Sequence, residues 1–133
     1  MQKLTREWLR KAESDLRVAG LLVAHKPPPT DEICFHCQQA VEKYLKALLQ
    51  ESGHRVPYTH DLEDLYDLLV PLHPVLGLQK ARLGQLTQYA VDYRYPGMHA
   101  HSAHARSALS YVGRVQAVAR KALGLRPKKQ KRP

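Results

Sequence analysis

The sequence predicts an all-α fold, an up-and-down antiparallel bundle of four to five helices. Apolar residues recur at steps of three and four along nearly the whole chain, which is the spacing of one helix face. Prolines and glycines interrupt this pattern at intervals. No segment shows the alternation of apolar and polar residues, together with hairpin-turn residues, that is typical of β-strands. Short connections favour antiparallel neighbours. The 133 residues suffice for one core, so we expect one domain over residues 1–125.

Helix boundaries follow from the breaks in this periodicity. Thr5 is the predicted N-cap of the first helix. Three consecutive prolines at 27–29 prevent that helix from continuing, because proline lacks the amide donor that a helix requires. Gly53 marks the end of the second helix. Pro96 ends the fourth, because the residue before a proline is driven out of the α region. The predicted helices span about residues 5–25, 31–52, 61–70, 78–93 and 99–123.

The charge of the chain is +9, and the positive charge is concentrated at the C-terminal end. No acidic residue follows Asp92, and five basic residues lie within 126–133, which we expect to form a disordered tail. Such a one-signed region favours a polyanion nearby. The alternative is a solvated face with a tail that aids solubility.

Membrane insertion and cysteine chemistry are not expected. No apolar run approaches the roughly 20 residues that cross a bilayer, so we expect no membrane contact and a cytoplasmic location. Cys34 and Cys37 are the only cysteines and fall inside a helical segment, where two small buried hydrophobes explain them better than a redox or zinc site.

Four motifs, in this order, resemble those of HEPN domains over roughly residues 5–122. They are Trp8-Leu-x-x-Ala12-x-x-Asp15-Leu16, the segment 34–49 (Cys-Phe-His-Cys-Gln-Gln-Ala-Val-Glu-Lys-Tyr-Leu-Lys-Ala-Leu-Leu), His60-Asp61-Leu62-x-x-Leu65 and Tyr93-Arg94-Tyr95-Pro96. The resemblance implies a helical bundle that usually forms a homodimer. It also implies a small nucleotidyltransferase as the partner in a toxin–antitoxin pair. Many members carry an Arg-x(4–6)-His motif that cleaves RNA, whereas others bind without catalysis.

Arg94 and His99 match the Arg-x(4–6)-His spacing, and their chemistry suits RNA cleavage. Histidine can remove the proton of a ribose 2′-hydroxyl near neutral pH. A planar guanidinium can meet two oxygens of the phosphate as negative charge builds on them. Neither group requires a cofactor, and we expect none. The alternative is that Arg94 caps a helix or pairs with Asp92 or Glu42, with His99 as a surface residue.

Further polar residues are candidates for binding substrate. Asp15 lies on the apolar stripe of the first helix, where a carboxylate is costly unless it is paired, and Arg94 or Lys43 are its candidate partners. The second helix carries polar residues that either line a groove for RNA or a nucleotide or form a solvated face, namely Gln39, Glu42, Lys43 and Lys46. Tyr95 is either an interface residue or, if exposed, a platform for a base.

The late histidines are a weaker candidate for a metal site. His101 and His104 are one helical turn apart, and Asp92 would be a carboxylate ligand. We expect no metal here, because histidines near a helix start are commoner than metal sites.

These observations support two functional hypotheses. The first is a HEPN-type module acting on RNA or nucleotides, in its most specific form a metal-independent endoribonuclease toxin with Arg94 and His99 as catalytic residues. The second is a non-catalytic HEPN partner, a nucleotide-binding subunit of a nucleotidyltransferase.

Overall fold

Five helices form in the predicted order in the computed structural model, which describes residues 1–128. They are α1 (Lys3–Val23), α2 (Thr30–Glu51), α3 (Leu62–Leu69), α4 (Lys80–Asp92) and α5 (Ser102–Ala122). The described residues contain no strand. The all-α bundle is therefore confirmed. The last five residues of the predicted tail lie outside the described range.

The central element is α2, which packs against each of the other four helices. Of its 22 residues, 13 are buried, so its burial extends well beyond a single apolar stripe. Ile33, Val41 and Leu48 are fully buried, as are Cys34 and Cys37. Gln38, Glu42 and Lys46 are enclosed as well, and each must therefore find a polar partner inside the protein.

Polar contacts join α1 to its neighbours. Tyr44 of α2 donates its hydroxyl to Glu13 of α1 at 2.7 Å, and Arg120 of α5 donates to the same carboxylate at 2.7 Å. Burial, together with this bond to a carboxylate, raises the pKa of Tyr44 well above its ordinary value. Glu13 thus fixes three helices to one another.

The predicted N-cap of α1 is wrong. Gln2 occupies that position, and Thr5 lies buried in the first turn, donating its hydroxyl to Glu51 at 2.9 Å. Glu51 also accepts the backbone N–H of Gln2 at 2.9 Å. A carboxylate from the far end of α2 therefore satisfies an amide at the start of α1, as a capping residue would.

The connection after α2 turns back along that helix. Gly53 adopts φ 73°, a left-handed conformation that suits glycine, and ends α2 as predicted. His60 then lies beside Glu42, and His73 after α3 approaches Ser52 at 3.2 Å. As a result α3 runs in the same direction as the second half of α2.

Within residues 1–128, none of the helices combines the length and apolar character needed to span a bilayer.

The two cysteines are free and buried, in agreement with the prediction of hydrophobic packing. Burial raises the pKa of Cys34 to about 11 and that of Cys37 to about 12. Because the thiolate is the reactive form, both side chains should be inert near neutral pH.

We predict that a thiol reagent at pH 8 labels the folded protein at least about tenfold more slowly than the urea-unfolded chain. Equal rates would contradict the buried placement.

Candidate functional site at the corner between the last two helices

Arg94 and His99 lie on either side of a tight turn between α4 and α5. The backbone N–H of Met98 donates to the carbonyl of Tyr95 at 3.3 Å, which closes a turn through Pro96 and Gly97. Gly97 has φ 85°, as the third position of a type II turn requires, and proline suits the second position. We refer to residues 94–99 as the corner. Both candidate catalytic side chains are exposed there.

The corner is attached to the start of α2. Asp31 accepts the backbone N–H of Ala100 at 2.6 Å with one carboxylate oxygen, and the other oxygen lies 3.3 Å from Nδ1 of His99. Thr30 donates its hydroxyl to the carbonyl of Ala100 at 2.7 Å. These bonds hold residues 99–101 outside the helix. They explain why α5 begins at Ser102 instead of at the predicted His99.

Asp31 determines which ring nitrogen of His99 is available for chemistry. A carboxylate accepts hydrogen bonds, so the contact at Nδ1 places the proton on that nitrogen. In the neutral ring, Nε2 then carries the lone pair and can accept a proton from a substrate. This pairing of a carboxylate with an imidazole resembles the one that orients the base in hydrolytic triads. Sequence reasoning did not identify Asp31 as a partner of His99, because the two residues are far apart in the chain.

Arg94 is free to bind an anion. Its guanidinium makes no hydrogen bond or ion pair with any residue in the range 1–128, so neither Asp92 nor Glu42 engages it there. Asp92 instead accepts a hydrogen bond from the side chain of Gln88 at 2.7 Å, and Glu42 is buried inside the bundle. An exposed guanidinium whose five donors have no partner among the described residues suits the oxygens of a phosphate.

Aromatic rings lie next to the corner. Tyr89 and Tyr93 stack with their centroids 5.5 Å apart, and His104 follows at 5.2 Å from Tyr89. The Nδ1 of His104 lies 3.2 Å from the Tyr93 hydroxyl and 3.4 Å from the backbone nitrogen of His101. These histidines therefore contribute to packing and to the start of α5. In the described part of the chain, no three His, Cys, Asp or Glu side chains group as metal ligands would.

Tyr95 differs from its aromatic neighbours because it points away from the core. Its residue exposure is 63%. The ring is thus open to contact with a base or with a second protein surface.

Two further polar clusters involve α2, and the first is centred on Asp15. Its carboxylate lies 2.9 Å from Nδ1 of His36 and accepts a short hydrogen bond from Lys43. Lys43 is thus the partner of Asp15, and Arg94 is not. The three side chains are largely buried between α1 and α2. Sequence reasoning missed His36, although it lies seven residues before Lys43 and hence on the same face of the helix.

The second cluster surrounds Glu42, whose side chain is only 5% exposed. Lys46 donates to it at 3.2 Å, and Nδ1 of His60 lies 2.7 Å away. Gln38 donates to the carbonyl of His60 at 2.9 Å, and Gln39 donates to the side chain of Gln38 at 2.7 Å. Gln38 and His60 are not among the predicted residues. The cluster joins the helix to the connection that follows it.

The candidate binding residues therefore lie in separate places. Asp15 pairs with Lys43, Glu42 pairs with Lys46, and none of these four contacts Arg94 or His99 among the described hydrogen bonds. Lys46 follows Asp31 by 15 positions, which is about 22 Å along a helix. The substrate-binding roles predicted for these residues remain untested.

Loss of the Glu42 carboxylate should destabilise the protein, because it leaves the buried ammonium of Lys46 unpaired. We predict that Glu42→Gln lowers the free energy of unfolding by about 3 kcal/mol in urea titrations. A matched control is Asp67→Asn, which removes the partner of Lys80 in an exposed ion pair and should leave the transition nearly unchanged. If both variants unfold alike, the cluster contributes little to stability.

Comparison with known proteins agrees with this architecture. The profile of the HEPN domain matches residues 5–122. No curated protein matches the chain. In structure the chain is similar to the protein TT1696 from Thermus thermophilus, with a TM-score of 0.74 and 25% identity over 91% of this chain and 99% of that one. The match supports a module related to RNA or nucleotides, and the chain belongs to the HEPN domain family.

Proposed function

We propose that this HEPN domain is a metal-independent endoribonuclease, with Arg94 and His99 as its catalytic residues. The observation that carries the proposal is the contact between Asp31 and Nδ1 of His99, which leaves Nε2 as the proton acceptor at the same turn that carries Arg94. Both groups border one turn and are exposed to a large substrate. A surface of this kind suits a polymer better than an enclosed pocket would.

The reaction begins at the ribose of the nucleotide to be cleaved. Nε2 of His99 accepts the proton of the 2′-hydroxyl, and the resulting oxygen attacks the adjacent phosphorus. The bond from phosphorus to the 5′-oxygen breaks, and that oxygen takes a proton from water. The hydroxide left behind then takes the proton from Nε2 of His99, which restores the neutral ring. The products are a 2′,3′-cyclic phosphate and a free 5′-hydroxyl. Asp31 stabilises the imidazolium that forms, since it accepts from the opposite nitrogen.

Arg94 acts on the phosphate during this step. Charge develops on the non-bridging oxygens as the fifth bond to phosphorus forms, and a guanidinium can donate to two of them together. Substrate attraction is favoured by the surrounding charge, because no acidic residue follows Asp92 and Arg106 and Arg114 are exposed on α5. Tyr95 supplies a face on which a base can stack.

The proposed assembly is a homodimer about the corner. Val91 and Met98 are large apolar side chains exposed close together in the chain, each with an exposure of 46%. A second copy would cover them and would place two Arg94–His99 pairs across one groove. Exposed clusters of this type commonly mark interfaces.

In the cell, we propose that the protein is the toxin of a toxin–antitoxin pair with a small nucleotidyltransferase. The rival proposal is a HEPN subunit that binds the nucleotidyltransferase or a nucleotide without cleaving RNA. RNA cleavage that requires both Arg94 and His99 would distinguish the first proposal from the second.

RNA cleavage tests the catalytic assignment. We predict that the purified protein degrades single-stranded RNA in EDTA, and that Arg94→Ala lowers the rate about 10²- to 10³-fold. His99→Ala should lower it about 10²- to 10⁴-fold, because the proton acceptor is lost. Product 2′,3′-cyclic phosphates would be measured by mass spectrometry.

Arg17→Ala and His25→Ala are matched controls, since each removes the same kind of exposed side chain outside the corner. Their rates should stay within a few-fold of the unsubstituted protein. Cleavage that survives both Arg94→Ala and His99→Ala would contradict the assignment. An intact RNA together with a stoichiometric complex with a nucleotidyltransferase would favour the rival.

Sedimentation tests the assembly. We predict that Met98→Glu converts the dimer to a monomer, because a buried charge without a partner opposes association at an apolar interface. Val75→Glu is the control, as Val75 is 95% exposed in the connection between α3 and α4. A dimer that persists in Met98→Glu would place the interface elsewhere.

A further inference from the structure

The hairpin of α4 and α5 carries a strongly positive surface that extends beyond the corner. Seven Lys or Arg residues and one acidic residue lie between Lys80 and Ala122. The acidic residue is Asp92, which ends α4 next to the corner and accepts a hydrogen bond from Gln88 at 2.7 Å. The rest of the hairpin therefore attracts anions and has no negative side chain that would repel them.

The exposed side of α5 spaces three of these cations along the helix. Arg106, Arg114 and Lys121 follow one another at steps of eight and seven residues, which keeps all three on one side of the helix. All three are exposed, and none of them forms a hydrogen bond or an ion pair in the part of the chain that the structure describes. Neighbouring cations are about 10–12 Å apart along the axis. The helix thus presents a row of free cations that leads away from the corner.

Arg82 of α4 adds a fourth cation, which is held in place beside this row. Its guanidinium carbon lies 4.7 Å from the centroid of the Tyr111 ring, and Nη2 donates to the hydroxyl of Ser107 at 3.2 Å. The Tyr111 ring is buried, and its hydroxyl donates to the carbonyl of Gln79 at 3.4 Å. A guanidinium fixed against such a ring loses little conformational freedom when it binds an anion.

The acidic residues of α3 contact the other side of α4. Glu63 packs against Gly84, which lies about 200° round the helix from Arg82. Lys80, one turn before Gly84, pairs with Asp67 at 2.9 Å. Both contacts with α3 are thus made from the side of α4 that faces away from Arg82, so its guanidinium keeps its charge available beside α5.

The positive surface begins at the corner. α5 starts at Ser102, three positions after His99, and the ring of Tyr93 before the corner stacks on His104. Lys121 lies 19 positions after Ser102, which is about 28 Å along the helix. A stacked single strand advances about 3.4 Å per nucleotide, so this surface has room for about eight nucleotides. A strand held at the corner can therefore continue along α5.

We propose that this side of the hairpin binds the phosphates of a single-stranded RNA, through a basic face made of Arg82, Arg106, Arg114 and Lys121. The proposal rests on the proposed function, because it extends the same substrate beyond the nucleotide that is cleaved. A single strand is favoured over a duplex, since the ribose 2′-oxygen needs a flexible strand to reach a position in line with the bond that breaks. Contacts with phosphate fix the position and affinity of the strand and leave its sequence free.

The salt dependence of binding reports on these contacts. The full chain is titrated against a fluorescent single strand of 2′-deoxyribose, about 16 nucleotides long, which offers no 2′-oxygen for cleavage. Each phosphate contact of a single strand contributes about −0.7 to the slope of log K against log salt. A triple variant, Arg106→Ala with Arg114→Ala and Lys121→Ala, should therefore bind with a slope that is less steep by about 2. Its affinity at low salt should fall at least about tenfold.

The matched control also removes three exposed cations, but from outside the basic face, namely Lys11→Ala with Arg55→Ala and Lys80→Ala. Both triple variants lose the same net charge, so only the position of the lost charges differs. All six side chains are exposed, and both proteins should melt near the unsubstituted chain. The control should keep a salt slope close to that of the unsubstituted chain.

Cleavage of long and short substrates gives a second readout. A dinucleotide occupies the corner alone, whereas an RNA of about 16 nucleotides also reaches the basic face. The ratio of kcat/KM for the long substrate to that for the dinucleotide should fall at least about tenfold in the basic-face variant. The same ratio should hold in the control.

The proposal is overturned if the unsubstituted chain does not bind the strand, or if the two triple variants have equal salt slopes. Tighter binding of a duplex RNA of the same length overturns the assignment to a single strand. Polyglutamate that competes as well as the strand would assign the face to an acidic protein and overturns the proposal too. Binding that depends on the basic face without cleavage of RNA overturns only the proposed nuclease, and cleavage with equal slopes overturns only this inference.

Discussion

Asp31 joins the corner to the central helix through two acceptor oxygens, and the candidate chemistry depends on that attachment. One oxygen holds the backbone of Ala100 at 2.6 Å and the other contacts His99. The carboxylate lies in the first turn of α2, where the helix dipole favours negative charge. The same group therefore lies at the positive end of α2 and holds the residues before α5 outside that last helix. Without it, nothing among the described contacts would fix the imidazole of His99.

The helix that carries Asp31 is largely buried, with 13 of its 22 residues inside the bundle. Because four helices surround it, its polar side chains have to be satisfied within the protein, and those in the described range are. Lys43 meets Asp15, and Lys46 meets Glu42. Each pair also reaches outside α2, to α1 in one case and to the connection through His60 in the other. The helix thus acts as a rigid frame that carries the attachment of the corner at one end.

The sequence was informative where local chemistry decides the structure. Periodicity, prolines and Gly53 predicted all five helices, and Lys43 was among the two partners expected for Asp15. Long-range contacts explain the failures. Thr5 is not a cap because Glu51 reaches across from α2, and α5 starts late because of Asp31. The enclosure of Glu42 and Lys46 depends on where the later connection passes, which periodicity does not encode.

Backbone amide shifts would test the central claim most directly, by locating where an uncleavable nucleic acid binds. The measurement uses the ¹⁵N-labelled chain and a single-stranded oligonucleotide of 2′-deoxyribose. The account predicts the largest shift changes at residues 93–101 and at Asp31. Saturable binding that leaves residues 93–101 and Asp31 unperturbed would contradict the claim that the corner is the functional site.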